Sequence, residues 1–179
     1  MSRALIRVEQ PRDRAAVRRV NETAFGGQAE ADLVEALHRA GAAVVALVAE
    51  LNGDVVAHIL FSPVSLEPST PTSLVGLGPM AVSPDFQKRG IGTLLIREGL
   101  RRSGAAGAEA VVVLGHAEYY PRFGFQPAHA FGLRCEYDVP PDVFMVLELV
   151  PGSLRALSGG LVRYHEAFSD GSRTHESRG

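Results

Sequence analysis

Two hydrophobic periods divide the chain. Ala16, Val17, Val20 and Ala24 recur every three or four residues, which marks one face of a helix over about 13–25. Gly26-Gly27 interrupts it. A second stripe of Leu33, Ala36, Leu37 and Ala40 predicts a helix over about 29–40, with Gly41 as its stop. A short strand over 6–9 comes first, and Pro11 suits a helix start. The pattern then changes. Residues 44–51 and 55–61 are almost continuously apolar and are separated by Asn52-Gly53, a two-residue hairpin signal. Such runs predict strands covered on both faces. His58 falls in the second run and reads as a structural histidine at a strand surface, not as a catalytic base.

A Pro/Ser/Thr loop over 67–73 leads to a strand over 74–82, interrupted by Gly76, Gly78 and Pro79. Proline cannot donate to a ladder and sits at edges or bulges. A bulge here would splay the strand from its neighbour and open a place for an extended ligand. A helix over 90–103 follows, with Gly92, Leu95, Ile96, Gly99, Leu100 and Ser103 on one face. Gly99 costs about 1 kcal/mol of helix propensity, which points to close packing on the sheet. Ala110 to Leu114 is a buried strand. The strand–helix–strand unit requires a right-handed crossover and parallel strands, with the loop after residue 82 at a carboxyl end, where open sheets bind ligands. Pro121 allows only a short helix in 115–125. A last clear strand covers 144–149, and 161–168 forms a short helix or strand. The polar stretch 169–179 reads as a mobile tail after one domain over 1–168.

The length of 179 residues suits one domain with a full core, and 46% hydrophobic with 21% charged residues fits a globular protein. A net charge of −2 supplies no basic field for nucleic acid. Arg101-Arg102 reads as a solvated helix face. The one cysteine, Cys135, allows no internal disulfide, and six scattered histidines lack metal-ligand spacing. There is no signal-peptide core and no apolar run near the ~20 residues a membrane span needs. These features together lead us to expect a soluble cytoplasmic protein without metal, membrane or nucleic-acid partners.

The stretch Val82 to Leu95 carries the chemistry. After Ser83-Pro84-Asp85 comes Gln87-Lys88-Arg89-Gly90-Ile91-Gly92, and a helix opens. The first N–H groups of a helix have no partner inside it, and its dipole favours negative charge there. Glycines let several amides converge on one space, and Lys88 and Arg89 add positive charge. A phosphate ligand follows. The Gly-Lys-Ser/Thr ending of a P-loop is absent. Leu95 stands where a dinucleotide fingerprint needs Gly or Ala. Gly76-Leu77-Gly78-Pro79-Met80-Ala81 matches that fingerprint formally, but Pro79 lies inside it and Ser83-Pro84 follows where a helix should start.

What fits is Gln-x-x-Gly-x-Gly after Val82-x-Pro84, with a later Tyr120-x-x-x-Gly124-Phe125. This resembles the acetyl-coenzyme A loop of the GNAT superfamily of N-acetyltransferases, with the specific part over 77–125 and the general likeness over about 5–150. The resemblance implies an α+β fold: a mixed, centrally splayed sheet flanked by helices. It also implies acetyl-coenzyme A as cosubstrate, with its pyrophosphate on the backbone amides of Gln87, Lys88, Arg89, Gly90, Ile91, Gly92 and Thr93. The pantetheine arm would pair with Met80, Ala81 and Val82 as an added strand. An amide near Ala81 would polarise the thioester carbonyl. Tyr120 would protonate the leaving thiolate, since a phenol with pKa ~10 stays protonated at neutral pH. Tyr119 would pack or border the nucleotide.

The chain departs from the family in two places. An Asn commonly follows the last parallel strand, and here stands Gly115-His116-Ala117-Glu118; His116 either replaces that contact or is a loop histidine. Many relatives carry a Glu on the bulged strand, which has none here. Glu30, Glu67, Glu118 or a water chain remain open as the base. Cys135 reads as a small strand residue, since no His/Asp partner pattern makes it a nucleophile. The acceptor pocket is expected from 25–28 and 131–143, with Phe25, Phe131 and Tyr137 and few acids. That composition fits a small-molecule or peptide amine of modest polarity. The competing readings are a non-catalytic acyl-coenzyme A module and a transferase for longer acyl groups or oxygen acceptors. Monomer and homodimer are both open.

Overall fold

The computed structural model describes residues 2–170. Most of the expected tail lies outside these residues. The strands are β1 (Leu5–Val8), β2 (Val45–Leu51), β3 (Asp54–Glu67), β4 (Leu74–Val82), β5 (Ala110–Leu114), β6 (Gln126–Pro127), β7 (Arg134–Cys135), β8 (Phe144–Glu148) and β9 (Leu161–Arg163). The helices are α1 (Arg14–Phe25), α2 (Ala29–Arg39), α3 (Ile91–Ala105) and α4 (Ala167–Asp170). Ser169 and Asp170, expected in the tail, belong to α4.

The sheet order is β1-β2-β3-β4-β5-β8-β6, with β9 pairing both β7 and the far end of β3. Neighbours are antiparallel except β4 with β5 and β7 with β9, which are parallel. The Asn52-Gly53 turn joins β2 to β3 as its residues require, with both at positive φ. Alternation along the strands sorts the core onto two faces. Leu47, Ala49, Ile59 and Phe61 pack with Ile91, Leu95 and Ile96 of α3. Val48 and Leu60 point the other way, to Val17, Leu33, Val34 and Leu37 of α1 and α2 and to Phe168. Gly99 does lie close to the sheet: a Cβ there would come within 2.3 Å of the Phe61 ring.

One local break governs the middle of the sheet. In β4, Leu77 pairs with Phe61 and Met80 with Ile59, so Gly78 and Pro79 together stand opposite Leu60 alone. This is the bulge expected from Pro79. It shifts the alternation, so Leu77 and Met80 both face the α3 side. Beyond it the strands part: β5 accompanies β4 only from Leu74 to Leu77.

His58 corrects the sequence reading. It is fully buried, not at a strand surface. Its Nε2 lies 3.1 Å from Glu9 Oε2, and His38 Nε2 of α2 lies 3.0 Å from the same oxygen. The three side chains bring ligand-type atoms together. The Asn21 amide, however, donates to Val17 O at 3.0 Å and faces His58 Nδ1 at 3.4 Å. That leaves the His58 proton on Nε2, aimed at Glu9. A metal-bound histidine would instead donate from its second nitrogen. The cluster is thus a hydrogen-bonded clamp tying the end of β1 to α2 and β3. Burial pushes the Glu9 carboxyl upward, but the hydrogen bonds from His38 and His58 outweigh it and hold it at about 2.

A carboxyl held below its ordinary value stabilises the fold fully above pH 4.5, and that contribution disappears as pH falls toward 2. Glu9→Gln is therefore expected to cost about 2–3 kcal/mol at pH 7, because a neutral amide replaces a charged acceptor of two hydrogen bonds. Denaturant titration at descending pH should show the gap between variant and wild type closing below pH 4.5. A gap that stays constant to pH 2 would refute the clamp.

Candidate active site

The gap beyond Leu77 belongs to a cavity of about 1190 Å³. On the α3 side its walls include Met80, Gln87, Lys88, Gly90, Ile91, Gly92 and Thr93. Ala81 and Val82 line it as well. Of the residues the sequence singles out for the cosubstrate, Arg89 alone does not line it; its guanidinium lies over the Phe86 ring, 5.3 Å from the centroid.

The loop is shaped by its own chain. Lys88 and Gly90 adopt positive φ, 61° and 80°, which turns the backbone back on itself before α3. Gln87 Nε2 donates to the Val82 carbonyl at 3.0 Å and pins the loop to the end of β4. The Leu94 amide bonds the Gly90 carbonyl at 3.1 Å. The amides of Ile91, Gly92 and Thr93 precede that first helical bond and point out of the helix end. Tyr119 Oη and the Met80 thioether border Gly92 at ordinary contact distance, 3.4 and 3.8 Å from the position of an added Cβ.

The bulged strand carries free amides, and their identity corrects one expectation. The Ser83 amide bonds the Val56 carbonyl at 2.9 Å. Antiparallel alternation from that pair spends the Ala81 amide on His58, its partner in β3, and turns the amides of Met80 and Val82 toward the gap.

Tyr120 opens a short 3₁₀ turn, Tyr120–Phe123, after β5. Its ring lies over Gly115 so closely that a Cβ at 115 would come within 2.2 Å of Tyr120 Cε2. The ring packs edge-on against Phe125, with centroids 5.6 Å apart. Burial, with a smaller effect from Tyr119, pushes its hydroxyl well above the ordinary phenol value. Tyr120 lines the cavity as a neutral donor. Tyr119 turns toward α3, its hydroxyl 3.5 Å from Thr93 Oγ1. Arg122 stacks on the Tyr119 ring at 4.4 Å and also lines the cavity. Arg122 escaped the sequence reading, because only the 3₁₀ turn brings it around to Tyr119. His116 and Glu118 line the same side, both exposed.

Through the gap, the cavity reaches the α1–α2 face, where Phe25, Glu30, Leu33, Tyr137, Tyr164 and Phe168 line it. Phe25 and Tyr137 lie where the sequence places the acceptor. Phe131 instead packs against a separate cluster that includes Leu133, Phe144, Val146 and Leu157. Tyr164 and Phe168 come from the region after residue 150, in which the sequence carries a short helix or strand over 161–168 but no functional signal. Of the candidate bases, Glu30 and Glu118 line the cavity, whereas Glu67 ends β3 and pairs with Arg163. Cys135 is a half-buried strand residue with its thiol pushed up by burial.

A bulged sheet parted beside a glycine loop, with a buried tyrosine across the opening, defines an acetyltransferase of the GNAT class. Residues 42–127 match the model of the GNAT acetyltransferase domain. The chain is 36% identical over 166 residues to the uncharacterized N-acetyltransferase YhbS of Escherichia coli strain K12, covering 92% of this chain and 98% of that one. The crystal structure of YhbS in complex with CoA matches with a TM-score of 0.89 over 94% of this chain and 93% of that one. A GNAT family acetyltransferase from Brucella melitensis, in complex with acetyl-CoA, is 39% identical, with a TM-score of 0.77 over 93% of this chain and 98% of that one. The chain belongs to the GNAT family of N-acetyltransferases.

The Tyr120–Gly115 contact makes a prediction that needs no substrate. Gly115→Ala forces the ring out of its place, so the variant is expected to lose about 1–3 kcal/mol of stability through overpacking. Tyr120 should titrate closer to the ordinary value of 10 as its ring becomes exposed. Phenolate absorbance in a protein without tryptophan reads this, with Tyr120→Phe identifying the Tyr120 step among the four tyrosines. An unchanged titration curve would mean that the ring does not rest on Gly115.

Proposed function

We propose that this chain moves an acetyl group from acetyl-coenzyme A to an amine by direct transfer, with both substrates held at once. The observation that carries the reading is the cavity that passes through the sheet beyond Leu77, with the glycine loop at one mouth and the α1–α2 face at the other. Its volume of about 1190 Å³ exceeds the usual range for one small ligand, which favours two. The acetyl-CoA and CoA bound in related structures support the cosubstrate.

In this mechanism the amides of Lys88 to Thr93 hold the pyrophosphate, that of Gln87 being given to the Pro84 carbonyl at 3.4 Å, and Lys88 and Arg89 add charge at the rim. The amides of Met80 and Val82 hold the extended arm as a neighbouring strand would, with Ala81 between them as spacer. One of those amides also donates to the thioester oxygen as it gains charge. The neutral amine adds to the carbonyl carbon, the carbon–sulfur bond breaks, and Tyr120 gives its proton to the departing sulfur. The amine's surplus proton leaves to water, and Tyr120 is reprotonated from solvent. A non-catalytic module is the second reading. The neutral, cavity-lining Tyr120 favours catalysis over it.

Calorimetry with acetyl-coenzyme A tests the cosubstrate site. The wild type is expected to bind, and Gly92→Glu to lose detectable binding through bulk and like charge at the amide mouth. Tyr120→Phe is expected to bind acetyl-coenzyme A with unchanged affinity while kcat falls by about 100-fold, the scale of one general acid. Wild-type protein that fails to bind acetyl-coenzyme A would overturn the proposal. A Tyr120→Phe enzyme with full kcat would remove Tyr120 from it.

A further inference from the structure

We infer that the acceptor is a small primary amine bearing one positive charge on an apolar or aromatic body. This rests on the transferase reading above and concerns the other half of the same cavity. The α1–α2 mouth is walled by carbon: Phe25, Leu33, Tyr137, Tyr164 and Phe168. The Tyr137 and Tyr164 rings lie 5.8 Å apart, and Tyr164 and Phe168 lie 5.2 Å apart, so three aromatic rings form one continuous wall. Tyr164 is seated on Gly76 of β4, where its ring is 3.0 Å from the position of an added Cβ. Phe25 ends α1 just before the turn into α2.

Among the described residues lining this mouth Glu30 alone is charged; Glu136, beside Tyr137, does not line the cavity. Glu30 is half-buried in the first turn of α2 and lines the cavity. Its neighbour in charge, Asp32, is occupied by Arg18 at 2.8 Å, as is Glu35. Glu30 itself has no ion pair or hydrogen bond among the described residues. The cationic wall residues, Lys88 and Arg122, belong to the opposite mouth. A second unpaired group adds to this. The Tyr164 hydroxyl is buried with no hydrogen-bond partner among the described residues, and burial pushes its pKa well up, so it stays a neutral donor and acceptor.

These features select a substrate by charge count. One carboxylate on an aromatic wall attracts one ammonium, which aromatic faces also stabilise. A polyamine or aminoglycoside would bury further charges against carbon, at a cost the wall does not offset. An amino acid would bring its own carboxylate toward Glu30 with no cation to receive it. An apolar body recovers free energy by covering the rings. On transfer the ammonium releases one proton, the new amide nitrogen bonds the acetyl carbon, and sulfur leaves as the thiol.

The test compares phenethylamine with phenylalanine, spermidine and a short unacetylated peptide, using thiol release with acetyl-coenzyme A. Calorimetry of phenethylamine into the coenzyme A-saturated enzyme serves as a second readout. Phenethylamine is expected to show kcat/KM at least tenfold above each of the others. Glu30→Gln should raise its KM and its calorimetric Kd at least tenfold, with kcat changed less and acetyl-coenzyme A affinity intact. Glu30→Asp should recover part of the loss. Unchanged acetyl-coenzyme A binding certifies that both variants fold. If acetyl-coenzyme A binds but another amine of the panel is preferred, none is turned over, or Glu30→Gln leaves KM and Kd unaltered, the acceptor inference is wrong and the transferase reading survives. If the wild type does not bind acetyl-coenzyme A, both fall together.

Discussion

Two residues facing one is the constraint on which the rest of this molecule turns. Gly78 and Pro79 stand opposite Leu60, and the sheet cannot absorb the extra residue while keeping β4 and β5 together. Proline has no N–H for the ladder, so the separation costs no hydrogen bond at that position. The shift in alternation aims Met80 at α3 and leaves its amide, with that of Val82, turned to the opening. A sheet that would otherwise seal the two helical layers from each other becomes a partition with a slot in it.

The rest of the site is fitted to that slot. Gln87 anchors the glycine loop to the carbonyl of Val82, so the loop inherits its position from the strand whose edge it borders. Tyr120 reaches the opening because Gly115, the residue after β5, has no side chain to push it away. Each contact is local, yet each is referred to the same point in the sheet. The Glu9 clamp acts from the opposite side, where it fixes β3 at His58, the residue paired with Ala81.

Most of this frame could be read from the residues. Period and turn chemistry located both long helices, the hairpin at Asn52-Gly53, the interrupted strand and the parallel unit around α3, because those segments are long and locally determined. Three things were hidden, each for a tertiary reason. Strands β6, β7 and β9 have two or three residues, too few to show alternation. β3 runs on past Pro63 because β4 and then β9 continue to pair with it. His58 appeared as a surface residue because its partners, Glu9 and Asn21, are 49 and 37 residues away in sequence. At the site, the glycine loop was legible as an anion mouth from its spacing, and Tyr120 was singled out by the family resemblance of Tyr-x-x-x-Gly-Phe. Glu30 was visible only as one of three loop carboxylates, and Tyr164 and Phe168 were not visible at all. Aromatic residues in a weakly patterned segment carry no mark of the wall they will join.

The slot also has a consequence for inhibitor chemistry. Under the proposed function, cosubstrate and amine come in from opposite faces of one sheet and meet only where β4 and β5 part. A compound joining both halves has to cross at that point through a covalent bridge. The bridge must be as slender as an extended chain and free of branches, or it will be stopped between Met80 and the end of β5. Two such compounds with identical ends would then differ in potency according to the girth of their middle alone, which makes the parting of these strands a sieve for linker shape.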